Sequence, residues 1–376
     1  MHLKRITLVQ FKNYTENSIE LIDGINCFVG RNGAGKTNIL DAVYYTSMCR
    51  SYLNPVDSQN IAFDEQFFII QSIWEKNHED VEVYCGVKRG QKKVFKRNKV
   101  DYERLADHIG QFPAVMISPY DADLISEGSE VRRKWMDGII SQFDKVYLDV
   151  LIRYNALLEQ RNALLKNIAK NGLIDSESLE VWDEQLVALG LIIHEKRKLF
   201  LEKIEPKLQK YFSELARADE QIVFDYKSHL LEDDFQKLLI NTRMKDQIMG
   251  HTTVGIHKDD LVFLLHGHPI KKVGSQGQQK SFLIALKLAQ FDELTEALNE
   301  KPVLLLDDIF DKLDNERVAQ LMKLVSANKF GQVLVTDTDE YRVRTIFEKI
   351  NVPVKIYQVE SGKVFEGITL QAQQFG

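Results

Sequence analysis

Two clusters of residues in this sequence have the types and spacing for phosphate chemistry. Gly30, Gly35, Lys36 and Thr37 fit G-x-x-x-x-G-K-[ST] inside CFVGRNGAGKTNILDA, Cys27 to Ala42, with an apolar run before the motif and an amphipathic run after it. Glycines at 30, 33 and 35 let successive backbone N–H groups converge on the β- and γ-phosphates of a nucleotide. A helix beginning near Lys36 turns its positive end to the same anion. Lys36 adds a point charge at the β/γ oxygens, and Thr37 offers a hydroxyl to Mg2+. The second cluster is PVLLLDD. Asp307 follows a buried-strand pattern and supplies the carboxylate that Mg2+ needs, beside the cradle in a parallel sheet, and Asp308 is placed to orient or deprotonate an attacking water. A ligand-free glycine turn and a helix-capping aspartate are the ordinary alternatives, and they account poorly for both motifs in one chain.

Gly274-Ser275-Gln276-Gly277-Gln278-Gln279 lies upstream of Asp307, directly ahead of a helical pattern. A serine and a glycine at a helix N-terminus make a second anion site. One ATP does not need two such cradles from one subunit, so the second is expected to close on the ATP of a partner chain. Elsewhere, KRGQKKVFKRNK crowds Lys88, Arg89, Lys92, Lys93, Lys96, Arg97 and Lys99 together with no acid among them, a positive ridge for a DNA phosphate backbone. Lysines on a solvated edge strand also prevent aggregation, and the sequence leaves both readings open. His266-Gly267-His268 reads as a hairpin turn and not a metal site, and Trp135 and Trp182 as core residues and not base-stacking platforms.

The elements that must position these residues follow from periodicity. Leu3 to Phe11 and Ser18 to Val29 read as two strands that deliver the chain to the phosphate loop, and Asn38 to about Met48 as the helix behind it. Phe67 to Ile73 and Val81 to Val87 alternate as half-buried strands, and Lys88 to Lys99 as a hairpin turning near Gly90. Pro113 to Ser118 is a short apolar strand. From Glu130 to Lys245 helical periodicity takes over: Tyr147, Leu151, Tyr154, Leu158, Leu165 and Ile168 keep a 4-3 spacing interrupted by Arg161, and Leu179, Trp182, Leu186, Leu189, Ile193 and Phe200 keep another after the Asn171-Gly172 break. Two long helices folding back on each other, each ~40–50 Å, make a compact lobe and not an extended arm. Strand patterns return at Gln221 to Tyr226, Leu261 to Leu265, Val303 to Leu306 and Gln332 to Thr336, with a helix from Gln278 to Asn299 and a final hairpin, Lys355 to Val359 and Lys363 to Phe365, turning at Ser361-Gly362.

Asp307 stands 270 residues after Thr37, far beyond one strand-helix-strand crossover, so a lobe must be inserted into the nucleotide-binding sheet. The expected division is 1–129 and 249–376 for the ATPase part and 130–248 for the inserted helical lobe. The chain of 376 residues is 44% hydrophobic and 28% charged, enough for at least one large core. With a net charge of −6, any DNA contact must come from a local patch. The N-terminus has no signal-peptide h-region and no run approaches the ~18 apolar residues of a membrane helix, so a cytoplasmic location without membrane attachment is expected. Cys27, Cys49 and Cys85 are odd in number and far apart, which suits buried thiols.

GRNGAGKTNILDA, SQGQQ, LLLDD and the following FDKLD together resemble an ABC-type ATPase head of the SMC and Rad50 kind. The resemblance narrows to the RecF family on FKNY at Phe11 to Tyr14, SPYDADLISEGSEVRRKWMD at Ser118 to Asp137, TTVGIHKDDL at Thr252 to Leu261, GSQGQQKSFLIALKLAQ at Gly274 to Gln290 and LLLDDIFDKLD at Leu304 to Asp314. The fold it implies is α/β, a mixed sheet around a phosphate-loop core with an inserted all-helical lobe. It further implies that Gly30, Arg31, Asn32, Gly33, Ala34, Gly35, Lys36 and Thr37 bind ATP phosphates and that Thr37 and Asp307 hold Mg2+. Lys12 and Asn13 would meet the nucleotide near its base and α-phosphate. Ser275, Gly277 and Gln278 would reach the γ-phosphate across an ATP-dependent homodimer, with Asp311 and Asp314 bordering that interface. Members of the family bind single-stranded and gapped double-stranded DNA when ATP-loaded and work with RecO and RecR to load RecA. Asp308 departs from the Glu that most ABC ATPases carry, consistent with slow hydrolysis, and Thr336-Asp337-Thr338 stands where they usually place a switch His. His257 and Asp259-Asp260 match the family with no role derived from the sequence. Two rivals are weighed. The short helical lobe argues against a transporter ATPase, and the absence of a long heptad arm and apical C-x-x-C argues against a Rad50-like head partnering a nuclease.

Overall fold

The computed structural model describes residues 1–171, 176–216, 220–310, 315–326, 330–348 and 353–370. Asp311 and Asp314 lie outside the described residues, as does Gly172 of the expected helix break. The chain forms two compact units. One comprises Met1–Ala122, Lys210–Ala218 and Gln276–Gly376, the other Asp123–Gln209 and Asp219–Ser275.

The first unit is built from two six-stranded sheets. Alternation of buried and open residues along His2–Phe11, Phe67–Lys76 and Glu79–Lys88 gives an antiparallel sheet with one face on the core. Its order is Tyr14–Glu20, His2–Phe11, Phe67–Lys76, Glu79–Lys88, Val94–Arg97, Val100–Asp101. Unbroken apolar runs instead make strands buried on both faces, as parallel sheets require. Ile25–Val29, Val333–Asp337, Val303–Leu306 and Ala114–Ile117 lie parallel in that order, and Val354–Glu360 pairs parallel on the other side of Ile25–Val29. Lys363–Leu370 closes this edge as an antiparallel hairpin, with Ser361 and Gly362 both at positive φ in the turn. The helix Lys36–Met48 packs against strands of both sheets, and its Tyr45 meets Phe11, Phe68 and Phe95 in the shared core. The three cysteines are buried and unoxidised.

One expectation about the strands needs correction here. Ser18 to Val29 is not one strand: Tyr14–Glu20 and Ile25–Val29 belong to different sheets. The Asn26 side chain folds back on the Ile22 N–H and C=O, each at 2.9 Å, and holds the bend between them. The strand bearing Asp307 lies in the same parallel sheet as the phosphate-loop strand, with Val333–Asp337 between the two.

The second unit contains the helices Ser129–Phe143, Lys145–Asn171 and Phe235–Met249 and most of Ser176–Ala216. It exceeds the expected span of 130–248 at both ends, and it is not all-helical. Ile222–Lys227, Asp260–Leu265 and His268–Pro269 form a three-stranded antiparallel sheet within it. His266 and Gly267 make the turn of the last pair at positive φ. Ser176–Ala216 has 41 residues, about 60 Å at ~1.5 Å per residue, longer than its 4-3 pattern indicated. Trp135 packs on Phe200 with ring centroids 5.9 Å apart.

Charge lies at the centre of this unit. Arg161 is fully buried and donates to Asp183 at 2.7 Å, Asp246 at 2.8 Å and the Thr252 hydroxyl at 2.8 Å. Arg197 grips both Asp137 oxygens at 2.9 Å and reaches Asp259 at 2.8 Å. Thr253 donates through N–H and hydroxyl to Asp246, and Arg132 pairs with Asp260 at 2.8 Å. SEVRRKWMD and TTVGIHKDD, far apart in sequence, are therefore tied into one internal clamp, directly by Arg132 with Asp260 and through Arg197 between Asp137 and Asp259.

Candidate functional site

The phosphate loop sits at the C-terminal end of Ile25–Val29, where parallel sheets place ligand sites. Its glycines are required for different reasons. Gly35 has φ of 114°, in left-handed space, and a Cβ there would come within 2.4 Å of Asn13 Nδ2. Gly30 has ordinary φ, but a Cβ would sit 2.2 Å from the Val359 carbonyl oxygen. Arg31, Asn32 and Gly33 are exposed at the tip, while Ala34 and Lys36 are buried. The helix beginning at Lys36 has no side-chain cap, which leaves its first-turn N–H groups turned toward an incoming anion. Lys36 Nζ folds onto the carbonyls of Gly30 at 2.8 Å and Arg31 at 3.1 Å.

Thr37 and Asp307 meet. The Thr37 hydroxyl donates to Asp307 Oδ1 at 2.7 Å, across the strand that lies between the two strands leading to them. That intervening strand contributes Thr336, whose hydroxyl donates to Asp307 Oδ1 at 2.9 Å and accepts the Asp308 N–H at 2.9 Å. Ser118, at the end of Ala114–Ile117, donates to Asp307 Oδ2 at 3.3 Å. Burial pushes the Asp307 carboxyl above the usual carboxylate range, with the Thr37, Thr336 and Ser118 hydroxyls pulling partly back. A desolvated carboxylate beside a hydroxyl is a hard-oxygen donor set that suits Mg2+. Asp308 holds φ of 49°, a left-handed backbone that strains most residues and recurs at working sites.

Asn13 and Lys12 separate. Asn13 Nδ2 donates to the Ala34 carbonyl at 2.9 Å and its Oδ1 accepts from Asn38 at 2.8 Å, so it braces the loop. Lys12 is held by Asp41 at 2.5 Å instead, and Asp41 also accepts from Ser51 and the Tyr52 N–H. A hollow of about 930 Å³ lies beside the loop, lined by Lys12, Asn38, Asn54, Phe63 and Tyr120 among others. Phe63 is 90% exposed there. Sequence reasoning missed this wall and gave Ser118 and Thr336 no role; the signals were their place near strand ends and, for Thr336, its position where a switch His usually stands.

Ser275 is exposed immediately before the helix Gln276–Leu298, which begins two residues earlier than expected and puts Gly277 and Gln278 in its first turn. Arg317 lies across that turn: a Cβ on Gly277 would stand 3.1 Å from its guanidinium, and Arg317 donates to the Ser281 hydroxyl at 2.7 Å. Lower on the helix, Lys287 pairs with Asp121 at 2.7 Å, and Asp121 accepts the Ser118 N–H at 2.8 Å. A polar chain thus runs from Asp307 through Ser118 and Asp121 to the body of this helix.

The basic stretch spans two turns. Glu79–Lys88 and Val94–Arg97 are joined around Gly90, and Asn98-Lys99 turns the chain into Val100–Asp101. Lys88, Arg89, Lys92, Arg97 and Lys99 are exposed. Lys93 is not part of the ridge: it turns inward to the Cys49 carbonyl at 2.7 Å and Asp57 at 3.0 Å. Lys96 shares Asp101 at 3.3 Å and Arg89 donates to the Glu65 carbonyl.

Comparisons with known proteins come to one result. Residues 2–364 match the family described as RecF/RecN/SMC N terminal domain. The chain is 49% identical to the DNA replication and repair protein RecF of Phocaeicola vulgatus, over 97% of this chain and 98% of that one. It also superposes on a solved structure described as the recombination mediator protein RecF-ATP in the RecFOR pathway, with TM-score 0.88, 30% identity and 98% of each chain covered. An Smc head domain derived from Pyrococcus furiosus shares the fold at TM-score 0.56 and 15% identity.

Proposed function

We propose, because this chain belongs to the RecF family of DNA replication and repair proteins, that ATP bound at its phosphate loop switches on DNA binding. The observation that carries the reading is the 2.7 Å contact of Thr37 with Asp307 at an uncapped helix start, two residues 270 apart meeting where a phosphate would lie. Gly30 to Thr37 cradle the phosphates, and Lys36 leaves the Gly30 and Arg31 carbonyls for the β/γ oxygens. Thr37 and Asp307 hold Mg2+, which supplies charge neutralisation on the phosphates when bound. Asn13 braces the loop, and the hollow bordered by Lys12, Asn38 and Phe63 takes the adenosine end.

Hydrolysis is slow and serves as a reset. Asp308, aimed by its left-handed backbone and by Thr336, orients the water. Ser275, Gly277 and Gln278 approach the γ-phosphate of a second copy, so each pocket is completed in an ATP-dependent homodimer. The dimer presents the basic hairpin to single-stranded and gapped duplex DNA, and RecO and RecR act with it to load RecA. Fluorescence anisotropy on gapped duplex tests the switch: ATP should tighten binding of the natural chain at least tenfold and leave Lys36→Ala unchanged. Equal binding with and without ATP would remove the switch.

A further inference from the structure

The outer face of the antiparallel sheet carries an apolar hollow inside a basic border, and we propose that it receives an unpaired base of single-stranded DNA. This rests on the DNA-binding reading above and adds the form of DNA that the surface takes. Cross-strand register builds the hollow. Ile69, Gly86 and Val94 face one another across three strands, with Gln71, Tyr84 and Lys96 in the next row and Phe67 opposite Lys88 beyond the glycine. The alternate residues Phe68, Ile70, Cys85 and Phe95 are buried on the core side, so this set looks outward. Gly86 leaves the middle of its row empty, and the Tyr84 ring leans across it: a Cβ on Gly86 would stand 2.9 Å from the Tyr84 hydroxyl. The resulting hollow has a volume of about 610 Å³.

A solvated sheet face needs no such lining. On the Tyr14–Glu20 side of the same face the pairs Thr7 with Ser18 and Arg5 with Glu20 are polar, and the half-buried Val9 and Ile73 stand beside polar neighbours. Here Phe67 and Val94 stay 36% and 39% exposed. Lys88, Lys92 and Lys99 border them and make no ion pair among the described residues, which gives the rim the charge for phosphates. Glu82 lines the hollow too, accepting from Gln71 at 2.8 Å, and its remaining lone pairs suit an N–H donor on the edge of an unpaired base, the N3–H of thymine among them. Lysines alone would hold duplex and single strand alike. An aromatic floor rewards only a base whose face is free, because stacking needs an unpaired, unstacked ring.

The test uses the full chain with ATP and Mg2+, a fluorescein-labelled oligothymidylate and a blunt duplex of equal length. Tyr84→Ala should weaken single-strand binding roughly tenfold and leave duplex binding within about twofold, while Tyr84→Phe keeps both. Equal losses on both DNAs, no loss on either, or a Tyr84→Phe as weak as Tyr84→Ala would overturn the base subsite. Should Tyr84→Ala not fold, a 2-aminopurine placed in the strand decides on the natural chain: a change in its fluorescence on binding supports the subsite, and a bound strand with none overturns it. A natural chain that binds neither DNA would overturn the DNA reading itself, a result distinct from the loss of the base subsite alone.

Discussion

The phosphate site and the clamp of the second unit both bury charge, and they satisfy it in opposite ways. Arg161 and Arg197 are 0% and 1% exposed, and each meets two carboxylates of its own chain with hydrogen-bonding geometry. At the phosphate site Lys36 rests on neutral carbonyls and Asp307 on three hydroxyls. Charge matched inside the chain holds an element together; charge facing neutral dipoles is held ready for a ligand. Breaking the first should cost stability, and breaking the second should cost binding.

Arg197→Ala gives the largest effect, because it strands Asp137 and Asp259 without their cation. A loss of about 3–5 kcal/mol is expected, read as a lower midpoint in thermal or urea denaturation, and a change under ~1 kcal/mol would erase the contrast. His257 gives a smaller effect that depends on pH. Burial holds its imidazole down at about 4, with the Thr252 carbonyl pulling partly back, against an ordinary value near 6.5. The unfolded chain therefore binds the proton more readily, so this stability is whole above pH ~6.5 and is lost as pH falls toward 4. Melting temperature followed across that window should drop more steeply in the natural chain than in His257→Gln; parallel curves would place the titration elsewhere. Asp307→Asn gives the smallest change in stability. Its carboxyl is already disfavoured by burial, so without nucleotide the variant should melt within ~1 kcal/mol of the natural chain, yet lose the stabilisation that ATP and Mg2+ add. A large loss without ligand would mean that Asp307 is structural, like the arginine partners.

The contrast also explains what the sequence could show. That the loop Gly30 to Thr37 and Asp307 come together was legible because phosphate chemistry demands fixed residue types at fixed spacing. The clamp was legible only as an anomaly, Arg161 interrupting an apolar 4-3 pattern, because its partners Asp183, Asp246 and Thr252 come from three separate segments. Lys93 shows the limit for surface charge: nothing in KKVFK separates Lys92, exposed, from Lys93, which turns in to Asp57. The strand between the phosphate loop and Asp307 was hidden for a similar reason, since order in a parallel sheet follows the crossovers and not the run of the chain. Likewise Gly86 looks like any strand glycine until the register sets it between Ile69 and Val94.

The central claim is that the nucleotide site of one chain is completed by Ser275 of a second copy. Light scattering of the natural chain and of Ser275→Arg, with ATP and Mg2+, tests it most directly, beside calorimetric ATP binding by each. The natural chain should double in mass on adding ATP, whereas Ser275→Arg should bind ATP equally well and remain single. A Ser275→Arg that pairs as readily as the natural chain would contradict the claim.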